Sequence, residues 1–242
     1  MKKIARTIKD FLLFTRVFII LKPFATLFKT ISHFSLLSSW VSRVNGSGNL
    51  LINDFYVPGR DFDRRYKLYE KVGTSLNLSG ARLNYMEFGV ASGNSFKWWI
   101  KFNTNAESHF TGFDTFEGLP EDWGGYKKGA MSYGIPQIDD KRADFFKGLF
   151  QETLNPFIDK NLQLFDKSVN VIHLDADLFS ATIFVLSQLY RFIKKGDIIL
   201  FDELSVPNHE FQAYKIFTEA FGIKLKPIGA VNNFYQVAFI VE

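Results

Sequence analysis

Acidic residues follow several apolar segments of the sequence, at the points where buried strands would end. Asp175 follows the apolar run 169–172, and the pair Asp202 and Glu203 follows the run 198–199. Because Asp and Glu avoid buried strands unless they are paired, acids at several strand ends indicate a polar pocket. Three such carboxylates could hold Mg²⁺ or another hard divalent cation and lower the pKa of a bound hydroxyl. Asp175 is the best candidate to accept that proton.

Neighbouring polar residues have simpler interpretations. Asp177 is expected to cap the helix that starts near Ser180, since Asp is common at helix starts. His173 alternates onto the same strand face as Asp175 and is expected to be a hydrogen-bonded core histidine rather than a base. His209 is predicted on a loop at the edge of the site and is a weaker candidate for a base.

A glycine-bearing turn follows another predicted strand. Residues 85–95 indicate a buried strand that ends in a turn containing Gly89 and Gly93 and runs into a helix, so a ligand can approach backbone N–H groups. Further along, Asp114 ends the next predicted strand, where an acid can accept hydrogen bonds from ribose hydroxyls. The turn lacks the close glycine pair of the dinucleotide motif G-x-G-x-x-G. The pattern favours a nucleoside site without a pyrophosphate, and S-adenosylmethionine is the commonest such ligand.

The elements that position these residues alternate along the chain. Strands are predicted at 84–88, 109–114, 143–146, 169–175, 197–202, 224–228 and 234–241. Helices are predicted at 60–74, 95–102, 152–159, 180–193 and 210–221. This order predicts an α/β fold with a doubly wound, mostly parallel seven-stranded sheet, in which the strands ending at Asp175 and Asp202 are neighbours. The short link 229–233 predicts an antiparallel hairpin at one edge.

Composition and charge exclude several classes of protein. The 242 residues include no cysteine, which excludes disulfides, thiolate catalysis and cysteine-bound zinc, and the four histidines show no H-E-x-x-H pattern. Residues 1–45 hold eight basic residues and one acidic residue, a net charge of +7, although the whole chain carries only +4. The remainder is therefore slightly acidic, which argues against a nucleic-acid-binding protein.

Residues 1–45 are predicted to form a basic, apolar helical arm, joined by a linker at 46–57 to a domain at 58–242. Arg16 and Lys22 interrupt the apolar runs, so no uncharged window reaches the ~20 residues that a membrane span requires. Two expectations remain open. The arm either lies on the surface of an anionic membrane or packs on its own domain or a second subunit.

The segment 117–142 is rich in glycine and aromatic residues, and a loop of this length is usually functional or disordered. Beside a pocket at the carboxyl ends of the strands, it suits a lid that excludes water. Trp123, Tyr126 and Tyr133 would then offer flat faces to a sugar ring or an aromatic acceptor.

Together these segments resemble the macrocin-type O-methyltransferases, a family of class I S-adenosylmethionine-dependent enzymes that commonly methylate sugar hydroxyls. The resemblance runs from about residue 58 to residue 242 and is carried by the segments 87–95, 113–123, 128–130, 147–154, 172–178 and 201–203. It implies four residues on the methionine and ribose side of the cofactor: Glu87, Gly89, Gly93 and Ser95. It also implies that Asp114 holds the ribose hydroxyls.

The resemblance further implies a metal site formed by Asp175, Asp202 and Glu203, with Asp175 as the base. The family has a second Asp at the position of Glu203. We therefore expect an O-methyltransferase that uses S-adenosylmethionine, with Mg²⁺ as a second cofactor, and acts on a sugar, glycan or glycosylated small molecule. We expect it in the cytoplasm, with membrane contact through residues 1–45 or assembly into a homo-oligomer. The alternatives are an NAD-dependent or nucleotide-sugar oxidoreductase and a cofactor-binding protein without turnover.

Overall fold

The structure is a computed structural model that describes residues 2–119 and 125–242. Its strands are β1 (Leu83–Phe88), β2 (His109–Asp114), β3 (Ala143–Lys147), β4 (Val169–Leu174), β5 (Ile198–Phe201), β6 (Leu225–Val231) and β7 (Gln236–Val241). They form one sheet in the order β3-β2-β1-β4-β5-β7-β6, in which β7 pairs antiparallel with both neighbours and the other pairs are parallel. The predicted doubly wound, mostly parallel seven-stranded sheet is confirmed, and β4 and β5 are neighbours as expected.

Helices cover both faces of the sheet. They are α1 (Lys2–Thr15), α2 (Ala25–Gly46), α3 (Arg64–Ser75), α4 (Asn94–Phe102), α5 (Phe150–Lys160), α6 (Leu162–Lys167), α7 (Phe179–Leu189) and α8 (Glu210–Phe221). One apolar cluster joins the sheet to α2, α5, α7 and α8, and a second joins its other face to α3 and α4. The central strands are apolar throughout because both of their faces are buried. The short helix α6 was not predicted from the sequence.

The hairpin between β6 and β7 lies later in the chain than predicted. β6 continues through Val231, and the turn is made by Asn232, Asn233 and Phe234, each with a positive φ. Asparagine tolerates this left-handed conformation better than most residues. The side-chain amide of Asn232 also donates to the backbone oxygen of Asp61 at 2.9 Å and to Gln236 Oε1 at 2.8 Å. The prediction of a link at 229–233 was therefore wrong, although the antiparallel pairing was correct.

The N-terminal arm consists of α1, a 3₁₀ helix at Val17–Phe24 and α2. Only the second half of α2 enters the core, where Trp40 is buried against Phe211, Tyr214 and Phe234 and donates a hydrogen bond to the Tyr214 hydroxyl at 3.2 Å. After α2 the chain follows β6, with the Leu51 amide bonded to the Ile228 oxygen at 2.7 Å. The arm is thus anchored at its C-terminal end.

Candidate active site

A cavity of about 720 Å³ opens at the carboxyl ends of β1, β2, β4 and β5. This is the edge at which ligands bind in open α/β sheets. The cavity brings together five of the eight residues predicted to bind the cofactor or metal or to act as the base: Gly89, Asp114, Asp175, Asp202 and Glu203. Glu87, Gly93 and Ser95 do not line it.

The turn after β1 lies directly against the end of β4. Gly89 has a φ of 92°, and a Cβ atom at this position would lie 1.9 Å from the backbone oxygen of Asp175. Any larger residue would therefore force the two strand ends apart. The absence of a side chain lets the turn and Asp175 form one wall of the cavity.

Asp114 holds this turn in place from the end of β2. Its Oδ2 accepts hydrogen bonds from the backbone N–H groups of Val90 at 2.8 Å and Ala91 at 2.9 Å, and its Oδ1 accepts from the N–H of Phe116 at 2.8 Å. Each carboxylate oxygen has two lone pairs, so these three bonds leave one acceptor position, on Oδ1, for a donor in the cavity that the side chain lines.

Glu87 and Ser95 belong to a buried hydrogen-bond network behind the cavity wall. The Tyr85 hydroxyl donates to Glu87 and lies 2.8 Å from His173 Nδ1, and the Tyr69 hydroxyl lies 3.2 Å from His173 Nε2 and 3.4 Å from Ser95 Oγ. His173 is fully buried, so it is the hydrogen-bonded core histidine that the strand alternation predicts.

His173 is nevertheless charged rather than neutral. Burial disfavours the imidazolium ion, but the nearby carboxylates of Asp202 and Glu87 outweigh burial and raise the pKa of His173 to about 9. The ring lies 3.7 Å from Glu87 and 3.8 Å from Asp202, measured from nitrogen to carboxylate oxygen. It therefore links the acid behind β1 to the acid at the end of β5.

Arg65 of α3 lies between two of the cavity carboxylates. Its Nη1 is 3.1 Å from Asp202 Oδ2 and 3.6 Å from Asp175 Oδ2. Burial disfavours the ionised form of Asp202, but the nearby charges of His173 and Arg65 outweigh burial and lower the pKa of Asp202. Burial and the charge of Asp202 together raise the pKa of Asp175. The side chain of Asp175 is 28% exposed to the cavity, against 3% for Asp202.

Asp177 is not a helix cap, contrary to the prediction. Helix α7 begins at Phe179 with Leu178 at the N-cap and no side-chain capping bond. Asp177 instead has a φ of 58° and lines the cavity together with Glu203. The left-handed backbone turns it toward β5 and away from the helix N-terminus.

Glu203 and Asp177 are two acids of the cavity wall whose pKa values are both raised. Burial, followed by the charge of Asp177, raises the pKa of Glu203 to about 8, and burial also raises that of Asp177 to about 6. The Tyr235 hydroxyl donates a hydrogen bond to Glu203 Oε1. At neutral pH Glu203 is therefore largely protonated.

This arrangement does not fit the predicted Mg²⁺ site. The guanidinium group of Arg65 already supplies positive charge beside Asp175 and Asp202, and Glu203 accepts a hydrogen bond from Tyr235 instead. Across residues 2–119 and 125–242, no group of three or more His, Asp or Glu side chains is arranged to hold a metal ion. We therefore derive no step through a metal.

Part of the predicted lid borders the cavity. Tyr126 lines it, whereas Tyr133 does not and is 62% exposed. The predicted contact residue Trp123 lies outside the described residues. His209 does not line the cavity either.

Sequence reasoning missed a group of cavity residues that lie before β1 or after β6: Arg60, Phe62, Arg65 and Tyr235. The guanidinium carbon of Arg60 lies 3.8 Å from the centre of the Tyr235 ring, and the rings of Phe62 and Tyr235 meet edge to face at 6.0 Å. The charged residues clustered at 60–65, within an otherwise apolar helical pattern, could have indicated that this segment contributes to the site.

Comparison with known proteins gives the same fold. The structure resembles the calicheamicin methyltransferase CalS11 with a TM-score of 0.57 and 17% sequence identity, over 87% of this chain and 91% of that one. It resembles the O-methyltransferase NovP with a TM-score of 0.54 and 17% identity, over 73% and 79% of the two chains. No curated protein sequence matches the chain.

The family model for macrocin-O-methyltransferase (TylF) matches residues 63–237, which include every strand of the sheet up to β7 and all the carboxylates of the cavity. This match covers well over half of the chain. The chain belongs to the macrocin-O-methyltransferase family and is an S-adenosylmethionine-dependent methyltransferase.

Proposed function

We propose that the enzyme transfers the methyl group of S-adenosylmethionine to a hydroxyl group of a sugar, with Asp175 as the base. The observation that carries this proposal is the partly exposed carboxylate of Asp175 in the wall of a cavity of about 720 Å³. A cavity of this size can hold a cofactor with the reacting part of an acceptor.

The cofactor would lie against the turn at Gly89 and beside Asp114. One ribose hydroxyl would donate to the remaining acceptor position on Asp114 Oδ1, and the backbone partners of the carboxylate fix its position. On the β3 side, Leu149 and Phe150 line the cavity and offer an apolar surface for the adenine ring. Glu87, Gly93 and Ser95 would support this site from behind the wall, since they do not line it.

The acceptor hydroxyl must lose its proton as its oxygen attacks. Asp175 would accept the hydroxyl proton as the oxygen attacks the methyl carbon, and the bond between that carbon and sulfur breaks. The products are a methyl ether and S-adenosylhomocysteine. The raised pKa of Asp175 makes it a stronger base than an exposed carboxylate. The cavity would act mainly by aligning the two reactants.

Arg65 would hold Asp175 and Asp202 in place without a metal ion. Its distances of 3.1 and 3.6 Å to the two carboxylates give charge compensation in the partly buried wall. The prediction of Mg²⁺ assistance is testable against this alternative. Activity in EDTA should equal activity in Mg²⁺ if Arg65, together with the His173 imidazolium, provides the positive charge that the acids need.

The outer part of the cavity favours a sugar that carries a phosphate. Phe62 and Tyr235 present aromatic rings, and Arg60 has no carboxylate within 4.0 Å among residues 2–119 and 125–242. A guanidinium group of this kind suits a phosphate oxygen. CalS11 is described as a TDP-rhamnose 3'-O-methyltransferase, so nucleotide-activated deoxysugars are the first acceptors to try.

The test is methyl transfer from labelled S-adenosylmethionine to three acceptor sets: nucleotide-activated sugars, free sugars and extracted glycans. Each set is assayed in EDTA and in Mg²⁺. We expect a labelled methyl ether on a sugar hydroxyl and equal rates in both conditions. Label on a nitrogen or on no sugar would reject the proposed acceptor, and activity restored only by Mg²⁺ would reject the role of Arg65.

A further inference from the structure

The N-terminal arm exposes an unusual number of apolar side chains. Of the 29 large apolar side chains that are exposed among the described residues, 16 lie between Ile4 and Leu36. Several are more than half exposed, including Phe14 at 85% and Ile20 at 75%. Isolated apolar residues on a surface are ordinary, but a continuous group of this kind marks a surface that binds something.

Basic residues are interspersed with these apolar side chains. Arg6, Lys9, Arg16, Lys22 and Lys29 are all exposed, and Asp10 is the single acid of residues 1–45. Asp10 lies 3.8 Å from Arg6 and 3.5 Å from Lys9. The other three cations have no ion pair within 4.0 Å in the described chain. The arm therefore offers positive charge and apolar surface together.

A groove of about 540 Å³ between α1 and the 3₁₀ helix combines these two properties. Lys9, Arg16 and Lys22 line it together with apolar residues that include Leu12 and Phe18. Arg16 has a φ of 52°, which turns the chain between the two helices and brings Lys22 back toward Lys9. Three cations around an apolar groove match the phosphate and the upper acyl chain of an anionic lipid.

By length and composition alone, the helical segment Val17–Gly46 could cross a membrane. Its contacts argue for a different arrangement. Asn208 of the domain bonds to Thr30 Oγ1 at 2.7 Å and to His33 Nδ1 at 2.9 Å, so α2 lies on the domain from Thr30 onward. The free part, residues 17–29, extends about 24 Å, short of the ~30 Å hydrocarbon layer. It also contains Lys22 and Lys29.

We infer that residues 4–29 dock on the surface of an anionic phospholipid bilayer, with the apolar side chains in the interface and the cations on lipid phosphates. The free part of the arm lies in the plane of the interface. The domain stays outside the bilayer, held by Trp40 and Asn208. This inference does not depend on the acceptor proposed above.

The experiment is sedimentation of the full chain with vesicles of phosphatidylglycerol and phosphatidylethanolamine, and with vesicles of phosphatidylcholine alone. Each basic residue at an anionic surface contributes about fivefold to partitioning. The variant R16Q/K22Q/K29Q should therefore bind the anionic vesicles on the order of 100-fold more weakly. The matched control K67Q/K101Q/K160Q removes the same charge from the domain surface, where all three lysines are exposed, and should bind nearly as well as the wild type.

A second variant, F14S/I19S/I20S, should also lose binding, because it removes apolar side chains that have no core contacts. The unfolding midpoints of all three variants should match that of the wild type. Equal binding of the wild type to both kinds of vesicle would overturn the inference, and so would an equal loss of binding in the domain control. A protein that stays in the vesicle pellet after alkaline carbonate extraction would span the bilayer instead. A dimer that forms through the arm and does not bind vesicles would show that the arm contacts a second subunit.

Discussion

The two halves of the cavity balance their negative charge in different ways. At the ends of β1 and β2, the carboxylate of Asp114 is met by backbone N–H groups at 2.8 to 2.9 Å. At the ends of β4 and β5, the carboxylates of Asp175 and Asp202 lie beside the side chains of Arg65 and His173, and Glu203 is largely protonated at neutral pH.

We call the part at the ends of β1 and β2 the fixed half, because the groups around its carboxylate do not titrate. The part at the ends of β4 and β5 is the titrating half. Backbone amides do not change charge with pH, so the partners of Asp114 keep their charge at every pH. The β4–β5 half depends on imidazole and carboxyl groups whose pKa values lie near 6, 8 and 9. We infer that the fixed half positions the cofactor, whereas the titrating half prepares the acceptor.

The largest expected effect is on the rate of methyl transfer in Asp175→Asn. Removing a positioned base lowers kcat by on the order of 10² to 10⁴-fold. Affinity for S-adenosylhomocysteine should change little, because Asp114 and the Gly89 turn lie in the other half. Single-turnover kinetics and calorimetry measure the two quantities. Asp177→Asn is the matched control and should reduce kcat far less. Equal losses in both variants would contradict the assignment of the base.

The two halves also differ in how far the sequence could predict them. Gly89 and Asp114 lie at the ends of two strands that are close together in the sequence. The sequence pattern alone therefore predicts that they lie near each other. The pairing of β4 with β5 followed from the alternation of strands and helices. These features need no knowledge of side-chain contacts, and the structure confirms them.

The partners of the β4–β5 acids could not be predicted in this way. Arg65 is 110 residues before Asp175 in the chain and reaches it only because α3 packs beside β6 and β7. Tyr235 reaches Glu203 because the turn lies at 232–234, later than predicted. The sequence around the three carboxylates contains no obvious cation, so it suggested a metal ion. In the folded protein, Arg65 lies beside two of them instead.

The second prediction tests whether the β4–β5 half titrates. The folded pKa of His173, about 9, exceeds its ordinary value of 6.5, so its contribution to stability is complete below pH 6.5 and is lost as the pH rises through 9. Glu203 acts in the same direction between pH 4.5 and 8. The free energy of unfolding should fall by about 3 kcal/mol from pH 6.5 to 9 through His173 alone.

Urea unfolding at a series of pH values measures this change. His173→Gln should reduce the slope between pH 7 and 9, since it removes the titrating imidazole. A wild-type stability that stays constant or rises over this range would show that His173 is not held as an imidazolium ion.

The third prediction concerns the fixed half. Gly89→Ala should destabilise the fold by about 2 kcal/mol more than Gly196→Ala, because only the first introduces a Cβ atom against a backbone oxygen. The two glycines have φ angles of 92° and 93°, so the cost of the left-handed conformation is common to both. Thermal unfolding measures the difference. Equal destabilisation would mean that the turn can move away from Asp175 at no cost.

The smallest expected effect concerns the acceptor. Arg60→Gln should raise KM about tenfold for a nucleotide-activated sugar, the loss expected for one hydrogen bond to a charged group. Its KM for a free sugar and its affinity for S-adenosylhomocysteine should stay unchanged, since Arg60 lies over Tyr235 and away from the Gly89 turn. Steady-state kinetics with the two acceptors separates these outcomes. An equal rise in KM for both would mean that Arg60 only supports the Tyr235 ring, and the preference for a phosphate-bearing acceptor would lose its basis.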